Sequence, residues 1–160
     1  GLHSNGFTLA RAALFEKAGF DYTAEIEGLE KNLGEELLKP TKIYVKTVMA
    51  LLDKFKLKGI AHITGGGLIE NLPRILPEGL KAEIKKGSWQ PQQIFKLIQE
   101  AGEIAEPEMY RTFNMGIGMT LVIDKDDQEK ILKELEEMGE DACLIGEIKA
   151  GTEDTSLEIK

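Results

Sequence analysis

The chain contains only two histidines, and both sit in glycine-rich segments. His3 lies in Gly1-Leu2-His3-Ser4-Asn5-Gly6, and His62 directly precedes Ile63-Thr64-Gly65-Gly66-Gly67. Histidine is the side chain that carries a proton near neutral pH, and it donates well to phosphate oxygens. Glycine lets a backbone take positive φ and lets a ligand approach the amides closely, at a cost in chain entropy. A glycine-rich loop feeding a helix therefore suits a phosphate or a developing oxyanion. The alternatives are plain: a helix cap at Ser4 and Asn5, a tight turn at Gly65 to Gly67, and a core histidine bonded to a carbonyl at position 62.

A third glycine segment, Phe113-Asn114-Met115-Gly116-Ile117-Gly118-Met119, reads as leading into a strand rather than a helix, which weakens a dinucleotide reading. None of the three is a Walker loop, because no Gly-Lys-Ser/Thr follows, and none has Rossmann spacing. The two histidines and Cys143 have no zinc-site spacing, so no metal is assigned to the chain's own residues. No Gly-x-Ser-x-Gly elbow is present. Trp89 and Tyr110 are isolated, so no stacking platform for nucleic acid is apparent. Cys143 reads as a buried thiol on an apolar strand.

These loops need elements to hold them. Helices are expected at Phe7 to Ala18, Glu25 to Leu38 (weakened by Gly28 and Gly34) and Tyr44 to Phe55. Further helices are expected at Leu68 to Leu76, after Pro91 (stripe Ile94, Leu97, Ile98, Ala101), at Pro107 to Phe113 and at Asp126 to Met138. Strands are expected at Gly59 to Ile63, Leu80 to Lys85, Met115 to Ile123, Ala142 to Ile148 and Ser156 to Ile159. The mixture, without a repeat period, reads as one α+β domain over residues 1–160, with helices on a mixed or mostly antiparallel sheet.

The bulk properties narrow the function. At 160 residues and 42% apolar composition the chain can bury a real core without staples. One cysteine excludes a disulfide framework and fits a reducing, cytoplasmic setting. No apolar run approaches the length of a membrane span, and no signal peptide is visible. The missing initiator methionine reads as a fragment or trimmed product. The net charge of −8 argues against nucleic acid as a partner. That charge is uneven. Residues 39–58 carry six lysines against Asp53, whereas residues 124–141 carry nine acids against three lysines. The basic stretch is either a solvated face or a local field for an anion, and the acidic helix reads as a solvated face.

Four segments taken together carry a resemblance. They are Gly-Leu-His-Ser-Asn-Gly; Lys39-Pro40-Thr41-Lys42-Ile43-Tyr44-Val45-Lys46; Gly59-Ile-Ala-His-Ile-Thr-Gly-Gly-Gly67 with Glu70-Asn71-Leu72-Pro73-Arg74; and Glu108-Met109-Tyr110-Arg111-Thr112-Phe113-Asn114-Met115-Gly116-Ile117-Gly118-Met119. In this order and spacing the chain resembles the C-terminal half of the phosphoribosylformylglycinamidine cyclo-ligases (aminoimidazole ribonucleotide synthetases), over essentially its whole length. One departure is Thr47, where that family often has proline.

The resemblance implies a layered α/β/α domain with partial ferredoxin-like similarity. It also implies one wall of an active site in purine biosynthesis. There ATP would phosphorylate the formyl oxygen of formylglycinamidine ribonucleotide, an amidine nitrogen would close the imidazole ring, and phosphate would leave. The N-terminal half, absent from this chain, would supply most of the ATP site, the acids that bind Mg2+ and the homodimer interface. By the same resemblance His62 is the catalytic candidate. His3, Ser4, Asn5, Gly6, Thr64, Gly65, Gly66, Gly67, Arg111 and Asn114 are candidates for binding substrate or phosphate. Rival readings are a domain of formylglycinamidine ribonucleotide synthase, selenophosphate synthetase or thiamine-monophosphate kinase, or a noncatalytic ligand-binding module.

Overall fold

A computed structural model describes residues 1–151 and 156–160. The chain divides into two compact units. The first is made of residues 1–42, 63–71 and 90–118, and the second of 43–62, 72–89 and 119–160.

The first unit is helical. α1 (Phe7–Arg11) continues into a π-helical turn, Ala12–Lys17, in which the Ala18 amide reaches back five residues to the Ala13 carbonyl at 3.0 Å. The expected helix at Glu25 to Leu38 shrinks to α2 (Leu33–Leu37). Asn32 caps it, its side chain accepting from the Glu35 amide at 2.9 Å. Gly28, at φ +84, lies in the turn before it, which explains the late start. α4 (Gly67–Asn71), α5 (Gln93–Gly102) and α6 (Glu106–Thr112) complete the unit. Pro107 and two glutamates occupy the first turn of α6, where a missing N–H is harmless and negative charge is favourable. Ile94, Phe95 and Ile98 of α5 are fully buried, and α5 packs on the π-helical turn. The rings of Phe95 and Phe113 meet at 5.9 Å between centroids.

The second unit holds the sheets. β1 (Gly59–His62) pairs antiparallel with β3 (Met119–Val122), placing Ala61 opposite Thr120 and His62 opposite Met119. A second sheet has the order β4-β2-β5. In it β2 (Leu80–Ile84) runs antiparallel to β4 (Gly146–Ala150) and parallel to β5 (Ser156–Ile159). The fold is therefore α+β with a mixed sheet. Leu72, Leu76, Ala82 and Ile84 form the core under this sheet. α3 (Val45–Lys54) lays Leu51 against Ile131 and Leu135 of α7 (Gln128–Glu137).

Three expectations change. The strand expected from Met115 begins only at Met119, because Met115 (φ 49) and Gly116 (φ 94) form a left-handed turn. The strand expected at Ala142 begins at Gly146, whose α-hydrogen faces the Glu83 backbone so closely that no side chain fits. Cys143 consequently lies outside the strand and is exposed, not buried. The charge asymmetry also resolves into pairs. Lys54 meets Glu134 at 2.6 Å and Lys58 meets Asp124 at 3.0 Å, while in the first unit Lys39 meets Glu36 at 2.7 Å. Part of the basic stretch and part of the acidic stretch thus complement each other.

Candidate functional site

The first unit gathers the three glycine segments around the C-terminal end of α6. Gly67, at φ +57, lies so close to the Tyr110 carbonyl oxygen that a Cβ could not be accommodated, and that Cβ would also stand 2.7 Å from the Phe113 oxygen. Gly6, at φ +72, leaves no room for a side chain against the Phe113 ring. A Cβ on Gly65 would lie 3.6 Å from the Asn5 side-chain oxygen, so the first two loops are neighbours. Two of the glycines are therefore required by close backbone or ring approach as well as by dihedral angle.

Buried amides set the loops. Asn71, 7% exposed, donates from Nδ2 to the Gly67 carbonyl at 2.8 Å and the Gly65 carbonyl at 3.1 Å, with the Thr64 carbonyl at 3.4 Å. The Thr64 hydroxyl donates back to Asn71 Oδ1 at 3.2 Å. With its carbonyls turned to Asn71, the loop keeps the Gly65 and Gly66 amides without a backbone acceptor among the described residues. The Glu70 side chain stands over Gly66. In sequence, Asn71 stands only as part of the motif. Its role shows once the loop is folded, and its spacing of four residues from Gly67 on one helix face was the available signal.

Asn114 does the same for the first segment. It is 2% exposed, donates to the Gly1 carbonyl at 3.1 Å and accepts from the Gly116 amide at 2.7 Å. It positions the first loop from within. In that loop His3 (φ 53) and Ser4 (φ 61) take left-handed conformations that strain residues bearing a Cβ. Asn5 donates to the His3 carbonyl at 2.7 Å, and the Ser4 and Thr41 hydroxyls lie 3.4 Å apart. Neither Ser4 nor Asn5 caps α1, whose cap position is Gly6 without a side-chain bond; the expected cap is replaced by a loop-internal bond. Arg111 is exposed on the last turn of α6 and carries no ion pair among the described residues.

His62 belongs to the second unit. It ends β1, is exposed, and meets the Tyr44 ring edge-on at 5.8 Å between centroids, so it is not a core histidine. Burial, and secondarily the charge of Glu140, raises the Tyr44 hydroxyl above its ordinary pKa, so Tyr44 stays neutral. Glu140 also accepts from the Thr47 hydroxyl at 2.7 Å, a bond that a proline at this position could not make. Among the described residues no group of three or more His, Cys, Asp or Glu gathers to hold a metal ion. No described helix is long and apolar enough to cross a membrane.

Residues 1–157 match the family described as AIR synthase related protein, C-terminal domain. The chain belongs to that family. It is 58% identical over 151 residues to a phosphoribosylformylglycinamidine cyclo-ligase of Caldanaerobacter subterraneus subsp. tengcongensis, covering 94% of this chain and 45% of the relative. Relatives of the same name from Pseudothermotoga lettingae and Syntrophotalea carbinolica are 56% and 53% identical, each with 44% of its length covered. The chain thus spans less than half the length of the curated relatives it matches.

Proposed function

We propose that the chain is the C-terminal half of an ATP-dependent cyclo-ligase that converts formylglycinamidine ribonucleotide and ATP to aminoimidazole ribonucleotide, ADP and phosphate. The observation that carries this reading is the convergence of three glycine-rich segments on the end of α6 in a member of this family. In this reading ATP transfers its γ-phosphoryl group to the formyl oxygen. An amidine nitrogen then attacks that carbon, the carbon–oxygen bond breaks, and phosphate leaves as the ring closes. Most of the rate enhancement comes from fixed groups facing the charge on the phosphoryl oxygens.

The amides of Gly65 and Gly66, with Thr64, Gly67 and the His3 to Gly6 loop, face the anionic parts of the substrates, and Arg111 adds a fixed positive charge. His62 donates a proton or a hydrogen bond to the phosphorylated oxygen. Asn114 supports the loop from behind and touches no substrate. The acids that hold Mg2+, most of the ATP site and a homodimer contact belong to the N-terminal half, and the working compartment is the cytoplasm. The finer architecture in this reading is a layered α/β/α domain with partial ferredoxin-like similarity.

The test joins this chain to the N-terminal portion of the Caldanaerobacter relative and assays ATP-dependent ring closure. The joined protein is expected to turn over and the 160-residue chain alone is not. His62→Ala in the joined protein is expected to lower kcat ~100-fold, the scale of one general acid or electrostatic donor. Robust cyclisation by the chain alone, or an unchanged rate for His62→Ala, contradicts the reading.

A further inference from the structure

His62 ends β1 with its main chain fixed. The ladder sets it opposite Met119, and the next amide, Ile63, donates to the Gly118 carbonyl at 2.9 Å. The side chain is less constrained by the strand. On a strand two χ1 settings are common, about 180° and about −60°, and an exposed side chain samples both unless a neighbour selects one. Among the described residues no hydrogen bond or ion pair reaches the imidazole. The group that meets it is the Tyr44 ring, edge-on at 5.8 Å between centroids and 61° between planes. Aromatic rings prefer this edge-to-face arrangement, and the preference is directional.

Tyr44 is itself held in place. It opens α3, and its carbonyl accepts from the Val48 amide at 2.9 Å. Three residues on, on the same side of the first turn, the Thr47 hydroxyl donates to Glu140 at 2.7 Å. Glu140 lies in the turn that ends α7, its amide donating to the Leu135 carbonyl at 2.9 Å. Further along α3, Leu51 packs on Ile131 and Leu135 of α7, with Leu121 of β3 against them. Leu121 and Met119 alternate onto one face of the sheet, and His62 stands opposite Met119, so Tyr44 and His62 meet on the face that α3 covers.

We propose that Tyr44 is the positioning residue of His62: its ring selects one rotamer and holds the imidazole in a single orientation. A proton donor must lie within hydrogen-bond reach of its acceptor, so an imidazole that wanders between rotamers is misplaced for part of the time. Misplacing a reacting group lowers kcat without weakening binding. The ring makes the contact, so phenylalanine can replace tyrosine and an aliphatic side chain cannot. What His62 acts on rests on the cyclo-ligase reading; its orientation by Tyr44 does not.

The experiment compares the parent with Tyr44→Phe, Tyr44→Leu and Tyr44→Met, the last two both removing the ring so that one can replace the other if it fails to fold. In the 160-residue chain, histidine-selective labelling reports on only two side chains. The parent and Tyr44→Phe are expected to show one large and one small Hα–Hβ coupling at His62, the mark of a single rotamer, and the Leu and Met variants two intermediate couplings. In the chain joined to the Caldanaerobacter N-terminal portion, the Leu and Met variants are expected to lose about tenfold in kcat with KM within about twofold, and Tyr44→Phe to keep most of the rate. In a His62→Ala background the loss is expected to vanish, because residues that act as one unit are not additive. Averaged couplings in the parent, or unchanged couplings in the Leu and Met variants, overturn the proposal. So does an unchanged kcat in those variants, or a loss that persists undiminished with His62→Ala, which makes Tyr44 merely structural. A joined protein that closes no ring removes the cyclo-ligase reading, and the couplings alone then decide the role of Tyr44.

Discussion

The two units hold their structures by different chemistry. In the first, the loops at positions 3–6, 64–67 and 113–116 are fixed by buried carboxamides and by glycines that admit a carbonyl or a ring. In the second, the β4-β2-β5 sheet carries charge. Glu83 on β2 meets Lys149 at 2.7 Å, Lys81 at 2.8 Å and Lys160 at 3.2 Å, and these bonds hold its carboxyl down to about 2. Carboxamides neither titrate nor respond strongly to salt, while ion pairs at the surface do both and contribute little. These loops are thus held by neutral groups in tight contact. The charged network is left to a sheet surface where small shifts cost nothing.

The contrast breaks most severely at Gly67. Gly67→Ala forces a Cβ into the Tyr110 carbonyl at a left-handed backbone position, and a loss of roughly 2–5 kcal/mol of unfolding free energy is expected from denaturant titration. Next comes Asn71→Ala, which strips the carbonyls of Gly65 and Gly67 of their donor. A loss of about 1–3 kcal/mol is expected, together with faster amide hydrogen exchange over residues 64–67. An Asn71 variant as stable as the parent would show that glycine contacts alone hold the loop.

Smaller effects belong to the second unit. Thr47→Val removes the half-buried bond to Glu140, and about 0.5–1.5 kcal/mol is expected from the same titration. Glu83→Gln is the smallest. The folded pKa lies below the unfolded value of 4.5, so this carboxylate stabilises above pH 4.5, and its contribution fades as pH falls from there toward 2. The midpoint difference between the parent and Glu83→Gln is therefore expected to shrink over that window, and to shrink further in high salt at neutral pH. A difference independent of both pH and salt would remove the contrast between the units.

What the sequence made legible follows the same division. The five strands among the described residues overlap spans expected from the sequence, β2 through the alternation at Leu80 to Lys85 and β1 as a short apolar run before glycines, and the longer helices show as apolar stripes at helical spacing. The glycine segments stand out because their cost in entropy needs a reason. The shortened α2 and the late starts of β3 and β4 were not legible. They depend on left-handed turns at Gly28 and at Met115-Gly116, and on the approach of Gly146 to Glu83, which are tertiary facts. The sequence marks Asn114 as a ligand candidate, and only the folded chain shows its burial and its bonds to Gly1 and Gly116. Exposed Cys143 shows how an apolar neighbourhood in sequence can mislead when the strand begins three residues later.

The proposed cyclo-ligase reading requires the loops at positions 3–6 and 64–67 to form one anion-facing surface. A 1H–15N titration of the chain with formylglycinamidine ribonucleotide checks this. The expected result is that the largest amide shifts fall together on residues 3–6 and on Gly65 and Gly66, with Gly146 to Ala150 on β4 unmoved. Shifts confined to residues 124–141, or a saturating response that leaves Gly65 and Gly66 unchanged, would contradict it.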